Sequence, residues 1–124
     1  MALARTDLTA VTQLGMGVTS AVVTVAASGG VAQTCYVKSV MIHNLSMAGS
    51  QDVHMYIVPN SGGSVGTIST ANRMARIGIG SDDTFFFEPA YPITLTKTGD
   101  ALFVGNEGNT ADSINVYVTG DIDL

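Results

Sequence analysis

Apolar and polar residues alternate along most of this chain with the two-residue period of a half-buried β-strand. Clusters of Gly, Asn, Asp, Ser and Pro punctuate the pattern every eight to twelve residues or so, the spacing of an all-β sandwich or barrel. Strands are expected weakly over 7–13, over 19–28 up to the Ser28-Gly29-Gly30 turn, and over 34–44, the longest run. Further strands are expected over 51–59, 84–89, 91–95, 101–105 and 113–120, with an extended, Gly-interrupted stretch over 67–79. The segments 45–50, 60–66, 97–100 and 106–112 read as turns and loops. About eight strands result, an antiparallel β-sandwich.

The register of the central pair makes the core concrete. A hairpin closed over 45–50 puts Val40 and Ile42 on one face with Val53, Met55 and Ile57. The other face then carries Ser39, Met41 and His43 beside Asp52, His54 and Tyr56. A slip of one residue would mix the two sets, so the first face is the expected core. The triplet Phe85-Phe86-Phe87 cannot place all three rings on one side of a strand. At least one face there needs a cover, as at a subunit contact, where aromatic residues concentrate. Helix signals are weak: ANRMARIG at 71–78 supports one turn before Gly78 and Gly80 intervene.

Residues 1–18 alternate less well and contain Gly15 and Gly17. Two readings stand, an extended N-terminal arm reaching onto a neighbouring subunit or an edge strand of the same domain. On the arm reading, Arg5, Leu8, Val11 and Leu14 are the expected interface residues, joined by Phe85 and Phe87.

A length of 124 residues fits a single domain over 1–124 with one core. Apolar residues make up 46% and charged residues only 12%, about half the usual share. Low charge with high apolar content points to a homo-oligomer or lattice component whose faces neighbours cover. The net charge of −5 leaves only Arg5, Lys38, Arg73, Arg76 and Lys97 as cations, too few for a phosphate-binding patch, so nucleic acid is not expected as a direct partner. No apolar run is long enough for a membrane helix, and MALARTDLTAVTQL does not read as a signal peptide.

Candidate chemistry changes this picture little. Cys35, the one cysteine, lies in an alternating run and reads as buried packing. His43 and His54 become diagonal neighbours in the assumed hairpin, about 7–8 Å apart, with Asp52 between them. Their ten-residue spacing matches no zinc pattern, so no metal is expected. Asp82-Asp83 suits a turn better than a glycosidase pair, and NEGNTAD only faintly suggests a calcium loop. Gly78-Ile79-Gly80 lacks the third glycine and the helix of a dinucleotide site. No cofactor and no catalytic set are expected.

The runs YVKSVMIHNLS…QDVHMYIVPNSGG, FFFEPAYPITLTKTGDALFVGNEG and DSINVYVTGDIDL resemble small structural proteins of tailed-phage virions, over roughly residues 35–121. The resemblance implies a β-sandwich, often jelly-roll-like, and a non-enzymatic role as a capsid decoration (cement) protein on the virion surface. It also implies symmetric oligomers, typically trimers, and the major capsid protein or other virion proteins as partners. A tail or head-to-tail (neck) component is the second structural role it allows. From a different class, a carbohydrate-binding sandwich with Tyr or Phe platforms stays open.

Overall fold

The alternating runs become eleven strands: β1 (Leu3–Leu14), β2 (Thr19–Thr24), β3 (Ala27–Ser28), β4 (Val31–Ala32), β5 (Cys35–Asn44), β6 (Gln51–Val58), β7 (Arg73–Ile79), β8 (Thr84–Phe87), β9 (Ile93–Leu95), β10 (Ala101–Asn106) and β11 (Ile114–Asp123). The structure, a computed structural model, describes residues 3–108 and 110–123, and side chains for 8–27, 29–108 and 110–123. One 3-10 turn, Thr70–Asn72, precedes β7, so the expected turn at 71–78 is displaced forward and the rest of that segment is strand.

The strands form two antiparallel sheets. The first has the order β1-β11-β5-β8, with β9 also on β5, and the second has the order β2-β10-β6-β7. The short β3 and β4 pair only with each other. β8 covers Val40 to His43 of β5 and β9 covers Cys35 to Val37, so the two share one edge position. The segment between them holds Pro89 and Pro92, which cannot donate to a ladder, and this interrupts the edge strand. The divided edge matches the two strands expected over 84–89 and 91–95, and the expectation of about eight is exceeded by β7, expected only as an extended stretch, and by the minimal β3–β4 hairpin.

Inward positions of the two sheets meet in one core. Val37, Val40 and Ile42 of β5, Val116 and Val118 of β11, Val53 of β6 and Leu102 and Val104 of β10 are all fully buried. Burying a Val or Leu side chain contributes about 1.5–3 kcal/mol, which makes this layer the main source of stability.

Two expectations are corrected. β5 and β6 do not form a hairpin; they belong to different sheets and face each other across the core. Val40, Ile42, Val53 and Met55 are indeed buried and Ile57 packs against them, but from opposite layers. Side-chain alternation fixes which face is inward and says nothing of whether two such strands pair or stack. The corner is turned by side chains: Asn44 Oδ1 accepts the Ser46 N–H at 2.8 Å, and Ser46 Oγ accepts the N–H groups of Ala48 and Gly49. The second correction concerns the N-terminal segment. From Leu3 to Leu14 it is not a free arm but an edge strand paired along β11, from Leu3 opposite Asp123 to Leu14 opposite Ile114. Met1 and Ala2 lie outside the described residues. Register shifts between Asp7 and Thr12 explain why its alternation looks weak in the sequence.

Candidate interaction surfaces

The outer face of the first sheet is built by register. Tyr117 of β11 stands opposite Met41 of β5, and Met41 stands opposite Phe86 of β8. Val11 of β1 lies beside Tyr117, in a shallow groove of about 230 Å3 that also takes in Met41, His43, Thr84 and Asn115. Four apolar side chains thus cross four strands in one row, with Val11 64% and Phe86 53% exposed. The next row is polar: Gln13, Asn115, His43 and Thr84 pair in sequence. On the other flank Ser39 and Thr119 share a short hydrogen bond, and Lys38 Nζ lies 2.6 Å from Asp121 Oδ2. An apolar strip with a polar rim is the anatomy of a protein–protein contact.

The interface residues expected from the sequence scatter over this frame. Val11 is in the apolar row. Leu14 is in the core, 3% exposed, and leaves nothing for a neighbour; Leu8 is half-buried against the same core. The Arg5 backbone stands opposite Asp121, and its side chain is outside the described residues. Phe85 and Phe87 turn inward and stack, centroids 6.4 Å apart at 12°. The exposed ring is Phe86, which the alternation of the triplet required of some ring without saying which.

His43 is held between two groups. Its Nδ1 lies 2.8 Å from Thr84 Oγ1 and its Nε2 lies 3.2 Å from Asp82 Oδ1. Asp82 sits in the left-handed region at φ 53°, which Asp tolerates better than most residues, and its N–H donates to Ser46 O. With Nε2–H given to Asp82, Nδ1 can accept the Thr84 hydroxyl, a hydroxyl–imidazole–carboxylate series. The backbone N–H of Thr84 donates to Asp83 Oδ1 at 2.9 Å. The series fixes the orientation of the His43 ring.

His54 belongs to the other sheet, so the two histidines do not share a face as the assumed hairpin implied. Its Nδ1 is 3.5 Å from Glu107 Oε1 and 3.3 Å from the Tyr56 hydroxyl, with the Tyr56 ring edge-on at 6.2 Å. Gly105 makes room: a Cβ there would come within 2.6 Å of Thr19 Oγ1 and 3.1 Å of Glu107 Oε1. Nearby, Arg76 Nη2 donates to Asp52 Oδ2 at 2.8 Å, and this bond holds the Asp52 carboxyl below its usual range against the opposing effect of burial. Among the described residues no group of three His, Cys, Asp or Glu side chains is placed to hold a metal ion. In the NEGNTAD loop Asn106 turns inward and donates to Leu14 O and Asp112 O, while Asn109 is outside the described residues. Cys35 is buried, its Sγ donates toward Gln33 O, and burial pushes its thiol up, which disfavours the nucleophilic thiolate.

A second surface is concave. Between the edges of the two sheets, β7 on one side and β8 and β9 on the other, an apolar cleft of about 320 Å3 opens. Met55, Ile57, Met74, Ala75, Ile77, Phe85, Phe87, Ile93 and Leu102 line it. It exists because the edge of the first sheet is divided and because β7 presents the small Ala75 inward. Comparison of the chain with protein-family models, with curated proteins and with solved structures returns no match.

Proposed function

We propose that the chain is a non-catalytic assembly module, a virion structural protein of the capsid-decoration type that bridges neighbouring capsomers. The observation that carries this reading is the exposed row Val11–Tyr117–Met41–Phe86 across the first sheet. These side chains are already partly covered, so on average each gains about half or less of the 1.5–3 kcal/mol of full burial when a neighbour covers it, and symmetry repeats the gain at every joint. With β8 and β9 counted as one interrupted strand and the β3–β4 hairpin set aside, the sheet orders are 1-8-3-6 and 2-7-4-5. That order favours a jelly roll, an architecture that capsid and lectin domains use. Net charge −5 suits an outer position, away from packaged DNA.

Native mass spectrometry and co-sedimentation with capsids lacking the protein test the reading. An oligomer, a trimer on this proposal, is expected, together with saturable capsid binding. Phe86→Ser combined with Met41→Ser should return the chain to a 12.8 kDa monomer and abolish the binding. A wild-type monomer that ignores capsids and binds glycans would replace the proposal with the carbohydrate-binding one. A ring that joins tails and not capsids would place it at the neck.

A further inference from the structure

We propose that the apolar cleft between β7 and β8–β9 is a binding site for one small uncharged hydrocarbon group, a single acyl chain or an aromatic ring system. The nine lining side chains are aliphatic, thioether or phenyl, and none offers a hydrogen-bond donor or a charged group. Water against these walls finds no hydrogen-bonding side chain, so an apolar guest that displaces it gains by burying apolar surface. At about 320 Å3 the space is roughly twice the ~150 Å3 that admits benzene in an apolar cavity, and it reaches the lower range of small-ligand pockets.

The walls suit such a guest. Leu102, fully buried, and Met55, 4% exposed, form the floor, while Met74, 66% exposed, stands at the mouth. The unbranched thioethers of Met55 and Met74 can follow the outline of different guests. The parallel rings of Phe85 and Phe87 form one wall, and aromatic surface accepts either a chain or a stacked ring. A protein partner is the poorer occupant, because the cleft is concave and holds only about 320 Å3, whereas the apolar row open to another chain lies on the far side of β8. Phe86 serves that row, and Phe85 and Phe87 serve the cleft. The two surfaces are therefore separable by mutation.

The test uses the full chain and the neutral fluorophore N-phenyl-1-naphthylamine, competed by decanol. Blue-shifted emission saturating at one equivalent per chain, and its loss on adding decanol, are expected. Ala75→Phe should fill the cleft and weaken binding at least tenfold, with folding checked by circular dichroism. Met74→Glu, at the exposed mouth, is the companion variant should Ala75→Phe not fold, and it should also weaken binding. Phe86→Ser should bind the probe as the wild type does. Absence of saturable emission, or equal binding by both cleft variants, overturns the proposal. So does probe uptake that tracks a doubling of mass, since the cleft would then be taken up by a second copy. Monomeric wild-type protein that still binds the probe would sink the assembly reading and leave this one standing.

Discussion

The two ends of the sandwich do the same work with different chemistry. At one end the connections 15–18, 45–50, 80–83 and 107–113 are tied by neutral amides. Asn44 Nδ2 lies 3.0 Å from the carbonyls of Gly49, Ile79 and Gly80, and Gln51 donates to Asp112 O while accepting Thr110 N–H. Asn44, Gln51 and Asn106 are completely buried. At the other end one carboxylate does the tying: Asp100 Oδ1 accepts the backbone and side-chain N–H groups of Asn60, and Oδ2 accepts Lys97 N–H. Burial by itself would raise the Asp100 carboxyl, but the hydrogen bonds from Asn60, Lys97 and Thr96 together hold it below its usual range. An amide can be buried without a charge to desolvate, whereas a carboxylate is affordable only where its bonds and some solvent remain. The amide ties carry no titrating group and the Asp100 tie does, so the first should be indifferent to acid and the second sensitive to it.

The largest effect should come from breaking the amide end. Asn44→Leu removes the side-chain partner of three carbonyls and of the Ser46 N–H, although Gly80 O keeps the Asp83 N–H. The two fully buried bonds, at about 1–3 kcal/mol each, set an expected cost of about 2–6 kcal/mol. Urea denaturation should show a lower midpoint, by the same amount at pH 7 and at pH 3. Next in size is Gly99→Ala at the carboxylate end. Gly99 has φ 93°, and a Cβ would sit 2.5 Å from Ser64 O, so about 2–3 kcal/mol should be lost in the same assay. Asp100→Ala should cost about 1–2 kcal/mol at pH 7.

The sign of that third effect with pH separates the two ends. A carboxyl held low in the folded state stabilises it above the ordinary carboxylate pKa of about 4, and the gain disappears as pH falls through the folded value. The wild type and Asp100→Ala should therefore converge in acid, while the deficit of Asn44→Leu persists. Amide protection factors should likewise fall in acid over 60–66 and 97–100 before they do over 44–51. The smallest effect is expected between the ends: Ala75→Leu, filling part of the cleft, should raise stability by about 0.5–1 kcal/mol in thermal unfolding.

What the sequence disclosed is the inward set, and for a local reason. Val40, Ile42, Val53 and Met55 declare their side by alternation, which needs no knowledge of partners. Pairing is not local, so the stacking of β5 on β6 was hidden behind a plausible hairpin. Asn44 read only as the end of the 34–44 strand and not as a buried clasp, because two of the three carbonyls it reaches belong to a segment 35 residues or more away. In β1 two register shifts put Val11 outside and Leu14 inside, a distinction that simple periodicity blurs. The cleft was invisible since it depends on which strands become edges. The Phe triplet was the partial success: its division between two faces was foreseeable, and the assignment of Phe86 to the outside needed the register with Met41.

The pairing of β1 with β11 also sets a timetable. Leu14 meets Ile114 and Leu3 meets Asp123, contacts that close loops of 100 residues or more. Non-local topologies of this type fold on the millisecond-to-second scale. At translation rates of about 5–20 residues per second, the first strand waits roughly 5–20 s for its partner to be synthesised. Tyr117, the second member of the apolar row, arrives only with that partner. A nascent chain therefore cannot complete the first sheet, or the apolar row across it, until β11 has been synthesised.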